Sequence, residues 1–258
     1  MINNYHTHTK RCLHAYGTEE DYVKEAIKAG MGQLGFSDHG PFSDHDYGYR
    51  MPYDELDSYI EEIDRLSSEY QGRIKLLKGL EIEYFPEYSD YYRLLLEEKH
   101  LDYLALGEHS YCASSGEQKN IFFADSTGDY LEYAENVCKA IRSGFFRFTA
   151  HPDLMFINDL PFDSRAEEAC RMIVQCASEN NTILEYNANG LRRERRKYPD
   201  GIRNPYPYRP FWEMVRETDI PVLIGSDCHS PDQVCDHSFM FARREALSLG
   251  LNVIDTLF

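Results

Sequence analysis

Residues 102–109 read Asp-Tyr-Leu-Ala-Leu-Gly-Glu-His (DYLALGEH), a short apolar run that stops at Glu108 and His109. A run of that length fits a buried strand, and an acid beside a histidine at its end puts polar chemistry where the strand gives way to a loop. The pattern recurs along the chain. Strands are expected near 2–6, 31–37, 75–82, 102–107, 146–150, 182–187 and 221–226, with helices at 19–29, 53–70, 89–99, 128–143, 164–180, 209–218 and 239–249. Such alternation is that of β/α units around a parallel sheet. In the helix at 164–180, Ala166, Ala169, Cys170, Ile173, Cys176 and Ala177 recur at helical spacing, and Ser164 with Glu167 fits a capping box.

The ends of these strands carry the chemistry. The first ends in His6-Thr7-His8, the second in Asp38-His39, the third in Glu81, the fourth in Glu108-His109, the fifth in His151-Pro152-Asp153 and the seventh in Asp227-Cys228-His229. In a parallel barrel these ends share one face, so residues distant in sequence become neighbours. Seven of the ten histidines (His6, His8, His14, His39, His109, His151, His229) fall at such positions. Strand alternation turns His6 and His8 to the same side, within reach of one cation. A lone His-x-His is as compatible with a structural role as with a metal, and Glu81 or Asp227 alone reads as a cap or a salt bridge. Six strand ends carrying His, Asp or Glu together are hard to reconcile with packing, because uncompensated buried charge is costly. Imidazole with carboxylate suits Zn, Mn or Fe. The donors exceed one ion's needs, so two or three divalent ions bridged by Glu81 or Asp227 are expected, an arrangement that activates water and neutralises a phosphoryl oxygen. His100 and His237 are expected on the surface and His45 stays open. Cys12 and Cys228 read as small buried residues behind the site more readily than as thiolate ligands.

The chain has 258 residues, 42% of them apolar, without a Gly/Ser linker or an internal repeat, so a single domain over 1–258 is expected. No segment approaches the ~18 apolar residues of a membrane span. The start, MINNYHTHTK, lacks the regions of a signal peptide, so a cytoplasmic protein is expected. Seven cysteines without CxxC spacing read as reduced thiols. A net charge of −17 argues against a nucleic-acid surface, and a small anionic substrate would need local positive charge, which bound divalent cations supply. Two long loops, 40–52 and 188–208, are rich in Gly, Pro and aromatic residues and are expected to shape a pocket.

His6-Thr-His8-Thr with His14, Ser37-Asp38-His39, Gly79-Leu-Glu81, Gly107-Glu-His109, His151-Pro-Asp153 and Gly225-Ser-Asp227-Cys-His229 together resemble the ordered motifs of the polymerase and histidinol phosphatase superfamily. Within it, HTHTKRCLH, GFSDHGP and the stretch Asn187-Ala-Asn-Gly190-Leu-Arg192 followed by Tyr206-Pro207 look like the stand-alone histidinol-phosphate phosphatases. The resemblance implies an α/β fold, a distorted seven-stranded (β/α) barrel like a TIM barrel, holding three divalent ions. By motif position one ion takes His6, His8, Glu81 and Asp227; a second Glu81, His109 and His151; a third His14, His39 and His229. It implies hydrolysis of a small phosphate ester, histidinol phosphate in histidine biosynthesis. Asp227 orients or deprotonates the attacking water, and His229, Asp38 or a water protonates the leaving group. Another phosphoesterase activity or a catalytically silent metal-binding module are the competing readings. Arg192, at the family's Asn-x-x-Gly-Leu-Arg position, and Arg50, in Tyr49-Arg50-Met51, are the expected phosphate contacts. Family members often carry a basic residue shortly after His-Pro-Asp; here Leu154, Met155, Phe156 and Ile157 follow, which gives a more apolar loop.

Overall fold

Seven parallel strands curl around one interior in the computed structural model, which describes residues 2–45 and 48–258. Met1, and Asp46 and Tyr47 of the expected 40–52 loop, lie outside the described residues. The strands are β1 (Gln33–Phe36), β2 (Lys75–Ile82), β3 (Tyr103–Leu106), β4 (Ser110–Cys112), β5 (Gln118–Asn120), β6 (Phe148–Thr149), β7 (Ile183–Asn187), β8 (Arg196–Tyr198), β9 (Gly201–Arg203), β10 (Pro221–Gly225) and β11 (Asn252–Ile254). The helices are α1 (Glu19–Lys28), α2 (Leu56–Glu69), α3 (Ser89–Arg93), α4 (Thr127–Ser143), α5 (Ser164–Glu179), α6 (Asn189–Arg192), α7 (Arg209–Arg216) and α8 (His237–Ser248). The main sheet runs β1-β2-β3-β6-β7-β10-β11, while β4-β5 and β8-β9 form antiparallel hairpins on the connections.

Strand alternation builds two apolar layers. Leu34, Leu76, Leu104, Leu184 and Val222 face the helices, where they meet residues such as Tyr22, Ile63, Tyr133, Ile173 and Trp212. The inward set is Tyr5, Leu77, Tyr103, Ala105, Phe148, Ile183 and Leu223, a plug that fills the barrel floor. Tyr103 fastens it by donating its hydroxyl to the Tyr5 and Phe36 carbonyls, at 2.8 and 2.9 Å. The plug leaves room only above it, at the carboxyl ends of the strands.

The segment expected as the first strand behaves differently. Residues 2–8 are extended but make only isolated bridges, Asn4 with Leu34 on one side and Thr7 with Cys228 on the other. They close the ring between β1 and the end of β10, and side chains replace a regular ladder. Asn4 Oδ1 accepts the backbone N–H of Ser226 at 3.0 Å and of His6 at 3.2 Å, and its Nδ2 donates to Thr7 Oγ1 at 3.1 Å. The seventh strand of the sheet is instead β11, a three-residue run too short to stand out in the sequence.

Local corrections have local causes. The 53–70 helix begins as a 3-10 turn over Tyr53–Glu55, and the 89–99 helix passes into a π turn at Leu94–Glu98. Asp236 caps the last helix by accepting the Phe239 N–H, so α8 starts at His237, two residues early. The cap of α5 is Asp163, whose carboxylate accepts the N–H groups of Arg165 and Ala166 at 3.0 Å; Ser164 is already helical, and the expected Ser164–Glu167 box gives way to this stronger anionic acceptor. The 188–208 loop holds α6 and the β8-β9 hairpin. All seven cysteines are free, and none of the helices is long and apolar enough to cross a membrane among the described residues.

The seam makes a testable demand. Asn4→Ala leaves two buried N–H groups without acceptors, each worth roughly 1–3 kcal/mol. Urea unfolding is expected to lose about 2–4 kcal/mol relative to the parent, and an unchanged midpoint would mean that Asn4 does not close the barrel.

Candidate metal centre

The turns that follow the strands bring all nine expected ligands, His6, His8, His14, His39, Glu81, His109, His151, Asp227 and His229, to one cluster above the plug. The His6 ring lies 6.4 Å from Phe148 of the floor. Two glycines of the quoted motifs make the crowding possible: a Cβ on Gly107 would overlap the Glu81 carboxylate, and one on Gly225 would overlap that of Glu185. His151 and Asp227 sit in the left-handed region, with φ of 28° and 47°. For non-glycine residues this costs about 1–3 kcal/mol each and persists where surrounding contacts over-determine the turn.

Glu81 occupies the centre. It is 1% exposed, with one carboxylate oxygen facing each half of the cluster. Oε1 lies 2.7 Å from His151 Nε2 and 3.5 Å from His109 Nε2; Oε2 lies 3.0 Å from His39 Nδ1, 3.3 Å from His8 Nε2 and 3.4 Å from His6 Nε2. Asp227 Oδ1 is 3.3 Å from His8 Nε2, while Oδ2 accepts from Asn187 and Asn189 at 3.2 and 3.1 Å. Around them His14, His39 and His229 form a group nearer the solvent.

Do these residues fit metal ions? His14 Nδ1 lies 2.8 Å from the Cys12 carbonyl and His229 Nδ1 3.2 Å from that of Asp227, acceptors that fix the proton on Nδ1. Their Nε2 atoms then point lone pairs at each other across 3.0 Å. His6 is held the same way: its Nδ1 donates to Glu185 Oε1 at 2.7 Å, and its Nε2 is 3.0 Å from His8 Nε2. Facing lone pairs repel unless a cation lies between them. A separation of 3.0 Å is that of two nitrogens each about 2.1 Å from one ion at roughly a right angle. Glu81 Oε2 and His8 Nδ1 are also buried without a hydrogen bond. The residues therefore fit divalent ions, and imidazole with carboxylate is the donor set of Zn, Mn or Fe.

The electrostatics agree. Burial alone would raise the Glu81 and Asp227 carboxyls, yet the surrounding imidazoles, His6 foremost, hold both well below the usual carboxylate range. Despite its burial, Glu185, Glu81 and Asp227 draw His6 well above the usual imidazole value, so they favour positive charge at its Nε2, the place a bound cation would take from a proton. Burial depresses His8 strongly and His39 to about 4, which keeps both neutral and able to ligate. Cys12 lies in a group with His8 and His229, but burial pushes its thiol up to about 12 and the Sγ is turned 3.2 Å from the Thr9 carbonyl, so it stays a protonated packing residue.

Two partners escaped the sequence reading. Glu185, on the fully buried strand β7, takes the His6 Nδ1–H and also accepts the His151 N–H at 3.0 Å and Asn187 Nδ2 at 2.8 Å. Glu83 lies 3.3 Å from His109 Nδ1 and grips Arg50 through both oxygens at 3.0 Å. Burial would raise its carboxyl, but Arg50 and His109 hold it at about 2. An acid inside a short, fully buried strand was the signal for Glu185, while Glu83 stands one residue past the end of β2, two positions after Glu81.

Three expected roles need correction or narrowing. Asp38 is fully buried and off the cavity wall: its two oxygens accept the N–H and hydroxyl of Thr9, at 2.7 and 2.9 Å, so it pins the turn after His8 and is not positioned as a proton donor. Arg192 turns away from the cavity. Its guanidinium is used up on Asp236, the Ser226 carbonyl and hydroxyl and the Gln233 carbonyl, at 2.6 to 3.1 Å, which ties the 189–192 turn to the 226–236 loop. The cavity, about 510 Å³, is lined instead by the next residue, Arg193, together with Arg50. Arg193 donates its Nε to Tyr206 Oη at 3.2 Å, and its terminal nitrogens have no hydrogen-bond partner among the described residues. Arg50 is on the wall as expected, with Glu83 balancing its charge. His45, His100 and His237 are exposed and do not line the cavity.

Known proteins share this arrangement of chain and fold. The family model for the PHP domain matches residues 4–189. A Deinococcus radiodurans protein named "Probable histidinol-phosphatase" is 31% identical over 245 residues, covering 92% of this chain and 88% of that one. The histidinol-phosphatase of Bacillus subtilis is 28% identical, covering 89% and 94%. A crystal structure of histidinol phosphate phosphatase from Lactococcus lactis, complexed with Zn, L-histidinol and phosphate, superposes with a TM-score of 0.73 at 17% identity over 98% of this chain and 95% of that one.

The carboxylates behind the ring of imidazoles are open to test. Glu185→Gln removes the acceptor that orients His6 and is expected to weaken metal affinity by roughly ten- to a hundredfold. Chelator competition followed by elemental analysis reads this directly. The parent protein should retain more than one transition-metal ion per chain; a stoichiometry of one or fewer after reconstitution would rule out a multinuclear centre.

Proposed function

The chain belongs to the PHP domain family, and on that footing we propose that it is a metal-dependent phosphomonoesterase that hydrolyses histidinol phosphate to histidinol and phosphate, using two or three Zn, Mn or Fe ions. The observation that carries this reading is the pairing of bare imidazole nitrogens 3.0 Å apart around the two-sided carboxylate of Glu81. The names of the D. radiodurans and B. subtilis relatives support the substrate. When bound, the ions supply Lewis acidity to a phosphoryl oxygen and make water acidic enough to act as a nucleophile near neutral pH.

The protein's own groups do the rest. Glu81 spans the two halves of the cluster, and His6, His8, His14, His39, His109, His151, Asp227 and His229 complete the ligand set. Asn187 and Asn189 hold one oxygen of Asp227, leaving the other turned to the cluster, where it can orient or deprotonate the attacking water. Water's oxygen bonds phosphorus as the ester P–O bond breaks, and the alcohol leaves with a proton. With Asp38 off the wall, and with His229 able to give a proton only while its Nε2 is not holding an ion, a water is the donor that the ligand set leaves free. Arg193, at the rim with open donors, takes the phosphoryl contact first read onto Arg192, and Arg50 is a second, charge-balanced donor.

Glu81→Gln and Asp227→Asn exchange anionic donors for neutral ones of similar shape, so each is expected to abolish nearly all phosphate release while circular dichroism stays at the parent's level. Either variant turning over at the parent's rate would end the assignment. The two arginines separate cleanly. Losing a charge-assisted hydrogen bond costs about 1.5–3 kcal/mol, roughly ten- to a hundredfold in kcat/KM, so Arg193→Met should fall by that much at unchanged metal content. Arg192→Met should instead lower Tm, and the reverse outcome would return the phosphate contact to Arg192.

A further inference from the structure

We infer that the alcohol half of the substrate is held as an uncharged aromatic ring against a wall made by Phe122, Phe123 and Leu154, so that the site also hydrolyses aralkyl phosphate monoesters lacking any cationic group. This deepens the metal-dependent phosphomonoesterase reading and rests on it. The wall is built in advance of any ligand. The Ile121 N–H donates to the His109 carbonyl at 2.9 Å, and Asn120 Oδ1 accepts the Phe122 N–H at 2.9 Å, which lays the Phe122 ring over His109 with centroids 5.9 Å apart and planes 12° from parallel. Asn158 Nδ2 then donates to the carbonyls of Ile121 and Met155, at 2.7 and 3.0 Å, stitching this turn to the one that carries Leu154. Phe122, Phe123 and Leu154 all line the cavity of the metal cluster, yet Phe123 is 83% exposed and Tyr49, also on that lining, is 75% exposed. Large apolar side chains left open beside a reactive centre mark a surface that a ligand covers.

The charges on the same wall point the same way. Among the described residues the carboxylates lining the cavity are Glu81, Glu83 and Asp227. Glu81 and Asp227 face imidazoles, and Glu83 is held by Arg50 and His109. Among the described residues no carboxylate on this lining is left over for an ammonium or imidazolium on the substrate, while a ring against the wall gains stacking and desolvation. The reaction is unchanged: water displaces the alcohol at phosphorus, giving the protonated alcohol and inorganic phosphate.

The test compares phosphate release by the metal-loaded protein from histidinol phosphate, 2-phenylethyl phosphate and ethyl phosphate. The expected result is kcat/KM for the phenylethyl ester within about tenfold of histidinol phosphate and at least about tenfold above the ethyl ester, the size of effect an aromatic contact gives. Phe123→Ala and Phe122→Leu should each shrink the phenylethyl-to-ethyl ratio; a general loss of structure would lower both esters together and leave the ratio alone. A phenylethyl ester cleaved no better than the ethyl ester, or a ratio unmoved in both variants, would overturn the inference while leaving histidinol phosphate hydrolysis standing. Phosphate release from none of the three esters would remove the phosphatase reading, and this inference with it.

Discussion

A carboxylate buried among imidazoles is the constraint from which the rest of this structure follows. Taking a carboxylate out of water costs several kcal/mol, and Glu81 is shielded almost completely with neither a lysine nor an arginine against it. Histidines alone offset that cost only if they are protonated, and several of them are held neutral by burial or bare at Nε2 by a backbone acceptor. Divalent ions remove the contradiction, because one ion satisfies the lone pairs of the imidazoles and the charge of the carboxylate together. The strained turns at His151 and Asp227 and the bare glycines at 107 and 225 are the geometric consequence of bringing so many donors to one point.

The histidines are oriented by two kinds of partner. His6, fully buried at the floor, and His109, on the cavity wall, lean on carboxylates, Glu185 and Glu83. Toward solvent, His14 and His229 lean on the carbonyls of Cys12 and Asp227. A carboxylate behind an imidazole makes it a more basic ligand than a neutral carbonyl does. The floor plug beneath, with Phe148 against His6, keeps water away from the deep half and strengthens every interaction there.

The strand ends were legible because apolar runs terminated by His, Asp or Glu leave few alternatives in a β/α chain, and six of the seven strands of the main sheet coincide with such runs or their neighbours. What escaped was what depends on side-chain direction. Nothing local in Leu191-Arg192-Arg193 tells which guanidinium enters the cavity; one step along a helical turn rotates it by about 100°. Asp38 reads as a strand-end acid like Asp227, yet it bonds back to Thr9 and is spent on structure. Glu185 was hidden for the opposite reason, since it stands inside a strand and not at its end, and Glu83 was masked by Glu81, which took the one strand-end role in that run. The seam at residues 2–8 escaped too, because closure there runs through the Asn4 side chain.

The net charge of −17 bears on how an anionic ester is captured. At physiological ionic strength, fields from surface charge fade over about 8 Å, so the acidic exterior slows approach but does not reach far into a walled cavity. Inside, the balance is local: Glu83 cancels Arg50, Glu81 and Asp227 face imidazoles that offset them only in part, and Arg193 remains as the cation at the rim with open donors among the described residues. Each ion added to the cluster would bring two positive charges to carboxylates that the imidazoles offset only in part. Affinity for phosphate is thereby tied to metal loading, while the apolar wall of Phe122, Phe123 and Leu154 is indifferent to it. The two ends of the cavity therefore discriminate by different means, charge for the phosphoryl end and shape for the alcohol end, and they meet where the Phe122 ring lies over His109.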